Sequence, residues 1–299
     1  MKNNLETTQS NEHPRIVGLS HAGIRVSNMS KALVFYSDFL GLEEQFQLLK
    51  ADGTLALKFL KINDRQCIEL FLEKSEKEDR LYQIAFIVED IEAMRLHLAS
   101  HGIPVPATYT KGRIGNLSFS VKDPDEHILE FVQYTSDGWT LQDTGKHLKK
   151  DRISVRLKHI GFTVRSLDAS LKFYRDILGC IETWRGSPNE TALSWVNMKL
   201  PDSDDYLELM LYKGELSKER LGSLNHLSLE VRSVPAATAV LGERAESGCY
   251  NLPISHKIGT NRKRLANFFD PDGTRTEIME PITIDGMSPP FSKAPPPED

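Results

Sequence analysis

Two stretches of this 299-residue chain repeat one another, and that constrains the fold more than any other feature. Residues 21–42 read HAGIRVSNMSKALVFYSDFLGL and residues 159–180 read HIGFTVRSLDASLKFYRDILGC. Aligned without gaps they share His21/His159, Gly23/Gly161, Val26/Val164, Phe35/Phe173, Tyr36/Tyr174, Asp38/Asp176 and Gly41/Gly179, among others. The offset is close to half the chain, so the repeat predicts two related modules rather than one large domain. Their expected bounds are 16–135 and 157–284. A connector over 136–156 joins them, a polar tail occupies 1–15, and a Pro-rich tail occupies 285–299, as a solvated or surface-wrapping extension.

Each module divides again. The segments LSHAGIRV, LYQIAFIV, LKHIGFTV and LNHLSLEV each carry a short strand pattern. Helical stretches follow at 30–40, 91–100, 167–178 and 234–247, closed by Gly41, Gly102, Gly179 and Gly248 as stop signals. Strand-like runs then end in CIELFLE, HILEFVQY, YLELMLY and RTEIMEP. The fold class is therefore α+β: four strand–helix–strands units, each a small curved sheet with one covering helix. The second and fourth units also share an Asp-Pro-Asp turn, at Asp123–Asp125 and Asp270–Asp272.

Strand parity locates the chemistry. In KHIGFTV, His159, Gly161 and Thr163 share one face, opposite the apolar Ile160, Phe162 and Val164. The same parity puts His21, Glu69, Glu130, Glu208, His226 and Glu277 on the non-core side of their strands. Every unit thus places a His (Gln83 in one) on its first strand and a Glu on its last, at nearly constant separation. Unpaired burial of one such Glu costs several kcal/mol, so four at matched positions call for a counter-charge. The candidate metal ligands are His21, Glu69, Gln83 and Glu130 in the first module, and His159, Glu208, His226 and Glu277 in the second. Imidazole and carboxylate donors suit Zn, Ni, Co, Mn or Fe(II), and four ligands leave positions open for water or substrate. Whether units pair within a module or exchange between modules is open at this stage.

Composition narrows the remaining classes. With 37 basic and 42 acidic residues the net charge is −5, without the concentrated basic face a nucleic-acid partner needs. The Trp residues form no base-stacking array. Cys67, Cys180 and Cys249 form no disulfide or thiolate–zinc pattern and suit a reducing compartment. No apolar run approaches a membrane span, and the expected location is cytoplasmic. No Gly-rich phosphate loop occurs, so no nucleotide cofactor is expected. The basic run Lys257–Arg264 reads as a solvated loop, with a grip on an anionic substrate group as its alternative.

The H-x-G-x-x-V strand, the LxFYxDxLG helix, the xEL strand and the DPDG…E turn resemble the vicinal oxygen chelate superfamily. That group takes in glyoxalases, epimerases, extradiol dioxygenases and bleomycin resistance proteins. The resemblance implies four βαβββ units in two modules, each a cupped mixed sheet with helices on its outer face, and a divalent metal between units. It implies a glyoxalase- or epimerase-type lyase or isomerase, in which the metal polarises an enediolate and a glutamate moves the proton. Glu277 takes the base role and Glu208 the opposing proton shuttle. The alternatives are an extradiol-type Fe(II) dioxygenase using His159, His226 and Glu277, or a non-catalytic binding or resistance-type module. Arg25 matches the position that holds a glutathione carboxylate in glyoxalases. The departures at Glu73, Asp79, Tyr212 and Gly222 weigh against glutathione itself. The expected partner is a small-molecule substrate, and the expected state is a monomer or homodimer.

Overall fold

The structure is a computed structural model that describes residues 13–73, 78–215, 217, 220, 222 and 224–297; most of the polar tail therefore lies outside the described residues. The first sheet comprises β1 (Ile16–Val26), β2 (Glu43–Leu49), β3 (Leu55–Lys61), β4 (Cys67–Leu72), β5 (Leu81–Val88), β6 (Thr110–Lys111), β7 (Leu117–Lys122) and β8 (Ile128–Gln133), in the order β2-β3-β4-β1-β5-β8-β7-β6. The second comprises β9 (Leu157–Val164), β10 (Ile181–Gly186), β11 (Trp195–Lys199), β12 (Tyr206–Leu211), β13 (His226–Glu230), β14 (Lys257–Ile258), β15 (Lys263–Phe269) and β16 (Arg275–Thr283), in the matching order β10-β11-β12-β9-β13-β16-β15-β14. These are the four units expected from the repeat, arranged as the two mixed sheets of tandem βαβββ units that the resemblance implies. The first strands of neighbouring units pair antiparallel, β1 with β5 and β9 with β13, so units pair within each module.

The helices start where side chains satisfy the free N–H groups of a first turn. Asn28, Asp90, Ser166 and Ser233 each accept from the backbone N–H three residues on. These caps open α1 (Met29–Leu33), α2 (Ile91–Ser100), α4 (Leu167–Leu171) and α5 (Val234–Ala245); a short α3 (Trp139–Gln142) lies between the modules. The expected uniform helices over 30–40 and 167–178 are not uniform: Val34–Phe39 and Lys172–Ile177 are wound as π-helix. The wider turns carry the buried Tyr36 and Tyr174.

Those tyrosines explain the repeated Asp-Pro-Asp turn. One oxygen of Asp123 accepts from Asp125 and His127 N–H, and one of Asp270 from Asp272 and Thr274 N–H, closing each turn. The other oxygen crosses to the opposite module: Tyr174 donates to Asp123 at 2.8 Å and Tyr36 to Asp270 at 3.1 Å. Phe39 stacks on Tyr250 at 4.3 Å in the same contact, and one apolar core runs through residues of both modules. The segment 136–156 packs closely. Asp143 is buried and takes the ammonium of Lys61 on its carbonyl at 2.6 Å. The Pro-rich tail runs over the second module, where Trp184 donates to Pro290 O and Leu193 N–H to Pro295 O. No helix among the described residues is long and apolar enough to cross a membrane.

Candidate metal centre

The sheet register brings the eight candidate ligands into two groups of four. In the first module Glu69 and Gln83 lie opposite Gly23 on either side; in the second, Glu208 and His226 lie opposite Gly161. A Cβ on Gly161 would sit 2.0 Å from His226 Cε1, and one on Gly23 would sit 2.7 Å from Gln83 Cγ. The glycine of H-x-G is thus the gap through which the facing ligand reaches the cup.

In the first group His21 Nε2 lies 3.1 Å from Glu130, 3.5 Å from Glu69 and 2.8 Å from the Gln83 amide. Gln83 also donates to Glu130 at 3.1 Å. Ser20 holds His21 Nδ1 at 3.1 Å and is itself bonded to Tyr134, which fixes the ring with Nε2 inward. Burial pushes the Glu69 carboxyl up to about 7, with His21 pulling it down and Glu130 adding to the rise. Burial also raises Glu130, but the hydrogen bond and charge of His21 together with hydrogen bonds from Ser118 and Gln83 outweigh this and leave it below the usual carboxylate value. His21 is drawn down by burial yet ends raised, because Glu69 and Glu130 face it.

The second group is charged differently. His159 and His226 face each other through their Nε2 atoms at 3.2 Å; Glu277 lies 3.6 Å from His159 and Glu208 3.8 Å from His226. Ser228 donates to Glu277 at 3.0 Å. Arg275 reaches His226 Nδ1 at 2.6 Å and Leu224 O at 3.1 Å. Burial, with Lys263 and Arg275, holds His159 well below its ordinary value; burial, with Arg275 and His159, does the same to His226. Glu208 is pushed up to about 8, by burial first and the charge of Glu277 second. Both imidazoles are therefore neutral, and the donor set of each group suits a divalent transition metal. A metal on His226 Nε2 would require Nδ1–H to donate to Leu224 O, 3.1 Å away, in place of accepting from Arg275.

Access differs between the groups. All four residues of the first line a cavity of about 270 Å³ whose walls include Phe46, Phe59, Phe71 and Tyr82. In the second, Glu208 and Glu277 line a cleft of about 130 Å³ beside Trp184, Trp195 and Arg275, and both histidines are buried. Arg25 lines neither. It is held by Glu73 at 2.8 Å, by Glu78 at 3.1 Å and by Asp79 O, in a separate polar cavity between the modules. Sequence reasoning missed Cys67, whose donor atom lies with those of His21 and Glu69 within 4.8 Å of one another. Its signal was present, since Cys67 stands two residues before Glu69 on the same strand face. Arg275 stands likewise two before Glu277.

A family model described as the glyoxalase/bleomycin resistance protein/dioxygenase superfamily matches residues 18–131 and 156–278. The lactoylglutathione lyase of Schizosaccharomyces pombe is 21% identical over 307 residues, spanning 88% of this chain and 96% of its own. Glyoxalase I of Saccharomyces cerevisiae is 21% identical over 233 residues, spanning 67% of this chain and 68% of its own. Among solved structures, the 2,3-dioxygenase LapB from Pseudomonas sp. KL28 superposes with a TM-score of 0.69 at 18% identity, over 96% of this chain and 98% of that one. The Mn(II)-bound glyoxalase from Novosphingobium aromaticivorans gives 0.66 at 18% identity, over 94% and 86%. At these identities the solved structures speak for the fold.

Proposed function

The chain belongs to the glyoxalase/bleomycin resistance protein/dioxygenase superfamily, and on that footing we propose that it is a divalent-metal-dependent lyase or isomerase that moves a proton between adjacent carbons of a small oxygenated substrate. One observation carries the reading: two carboxylates, Glu69 and Glu130, converge on His21 Nε2 at 3.5 and 3.1 Å on the wall of a cavity of about 270 Å³, and their proton affinities are displaced in opposite senses. Such a split pair is how one site runs acid and base steps near neutral pH.

The residues that would hold the metal are His21, Glu69, Gln83 and Glu130, with Gln83 turning its amide oxygen inward. A divalent ion there supplies Lewis acidity to neighbouring substrate oxygens, which acidifies the C–H bond beside them. Glu130, held ionised, takes the proton from one carbon. Glu69, in its protonated form, returns one to the adjacent carbon, and proton exchange with solvent restores the pair. Glu277 and Glu208 hold the corresponding base and shuttle positions in the second module, as the sequence reading assigns them, in a narrower cleft. The ion-paired Arg25 supports a substrate without a glutathione carboxylate.

A second reading, an extradiol-type dioxygenase, draws on the convergence of His159, His226 and Glu277. The test separates them. The purified chain is analysed for bound metal, then assayed for solvent-deuterium exchange into α-hydroxycarbonyl and 2-oxoaldehyde compounds by proton NMR, and for oxygen uptake with catechols. Bound Zn, Ni, Co or Mn with exchange, lost by roughly 10²–10⁴-fold in Glu130→Gln, is the expected result. Absence of any bound divalent metal, or oxygen uptake without exchange, overturns it.

A further inference from the structure

The second module holds a cationic cavity that its ligand group leaves unused. It encloses about 430 Å³ and is lined by Lys158, Lys199 and Lys263, on three different strands. Alternation alone would turn Lys158 into the core. The β9–β13 register prevents this: His159 pairs with Ser228 and Leu157 with Leu229, so Lys158 is the extra residue of a β-bulge and turns toward the cup. Ser20 is the bulged residue in the first module, where Leu19 and His21 pair with consecutive residues of β5.

The lysines are less closely paired than the buried lysine of the first module, with Glu230 facing both Lys158 and Lys263 and Glu277 facing Lys263. Lys61, which ends β3 as Lys199 ends β11, is fully buried with Asp64 at 2.9 Å and Asp143 at 3.2 Å. Lys158 has Glu230 at 3.6 Å, and Asp204 stands on the cavity wall. Among the described residues, neither Lys199 nor Lys263 has a hydrogen-bond or ion-pair partner at its ammonium group. Asn197 lines the same cavity, 8% exposed, with its side-chain oxygen unpartnered. Three ammonium groups beside a free buried acceptor match an oxyanion that carries a neighbouring hydroxyl.

The Pro-rich tail supplies one wall, from Gly286 to Pro289, and is pinned by Trp184 to Pro290 O at 2.8 Å and by Ser292 N–H to Arg185 O at 3.0 Å. Trp184 and Asn261 border both this cavity and the cleft that ends at Glu208 and Glu277. We propose that the Lys158–Lys199–Lys263 cavity binds the phosphate of a small hydroxylated phosphate monoester and aims the rest of that molecule past Trp184 toward Glu208 and Glu277. The aim toward those carboxylates rests on the proposed function; the phosphate site does not.

Calorimetric titration of the full chain with glycerol 3-phosphate, inorganic phosphate and glycerate, with and without a chelator, tests it. The expected result is saturable binding of glycerol 3-phosphate at one per chain, tighter than that of glycerate and unchanged by the chelator. Lys263→Gln and, separately, Lys199→Gln each weaken it tenfold or more, with circular dichroism unchanged, while exposed Lys149→Gln leaves it alone. No saturable binding, loss of binding on chelation, preference for glycerate, or wild-type affinity in both cavity variants overturns the proposal. If the metal reading alone fails, phosphate binding persists.

Discussion

Glu208→Gln in metal-free protein will remove a large loss of stability at high pH. The Glu208 carboxyl is pushed from 4.5 to about 8 in the fold, by burial first and Glu277 second. Between those values the folded chain keeps a proton that the unfolded chain releases. The stability tied to that proton is full below 4.5 and is lost as pH rises through about 8. A displacement of about 3.5 units at ~1.36 kcal/mol per unit gives a loss on the order of 4–5 kcal/mol. Glutamine keeps the shape of the protonated acid without its titration. The stability of Glu208→Gln minus that of wild type should therefore climb by about 4 kcal/mol from pH 5 to about pH 8, at about 1.4 kcal/mol per unit, and level off by pH 9.

His159 and His226, held well below 6.5, act in the other sense: their contribution is present above 6.5 and is lost as pH falls. Both proteins carry them, so they cancel in the difference. Urea titrations followed by circular dichroism, in chelator at unit steps from pH 5 to pH 9, supply the free energies. A difference that stays flat to within about 1 kcal/mol would refute the claim that burial holds this carboxyl protonated.

Three further outcomes follow from the geometry. Tyr36→Phe leaves Asp270 without its cross-module donor and should cost about 1.5–3 kcal/mol in urea denaturation, as should Tyr174→Phe at Asp123. Gly161→Ala places a methyl 2.0 Å from the His226 ring, so metal bound per chain should fall while the first group keeps its ion; Gly242→Ala, with open space around its Cβ, should leave metal content unchanged. Lys61→Met removes the ammonium from the Asp143 carbonyl and carboxylate, leaving the carboxylate to Gln45 and His147, and should lower stability by about 1–3 kcal/mol in the same denaturation assay.

Much of this arrangement was legible in the sequence, because strand parity is local. A residue's face follows from its place in the alternation, so His159, Gly161 and Glu208 declare their side before any partner strand is known. Pairing within modules was not legible, since both pairings satisfy the same parity. Nor was the role of Lys158, because a bulge exists only between two strands and reverses the face that alternation assigns. The tyrosine of FYxD and the Asp-Pro-Asp turn were both visible as repeats. Their hydrogen bond was not, because it joins residues 234 apart in one case and 51 in the other. The Pro-rich tail read as an extension for a similar reason: its anchors, Trp184, Arg185 and Leu193, give no local sign of a partner.

One scaffold thus carries two electrostatic settings, and a few replacements account for the difference. Gln83 becomes His226, Cys67 becomes Tyr206, Ser20 becomes Lys158, and Ile128 becomes Arg275 at corresponding register positions. In the first cup the one imidazole is raised by two carboxylates, so His21 and Glu130 neutralise each other in a cavity walled by aromatic rings. In the second, Arg275 and Lys263 already oppose Glu208 and Glu277, and both imidazoles stay neutral. The second group would hold a divalent ion with Arg275 at the rear of His226, whereas in the first, among the described residues, no guanidinium stands behind His21, whose Nδ1 is held by Ser20. An anionic ligand reverses that order, because the lysines and Arg275 attract it to the second module while the first offers it two carboxylates. The two cups therefore present different charge to whatever enters them: two carboxylates around one imidazole in the first, and lysines with Arg275 beside the glutamates in the second.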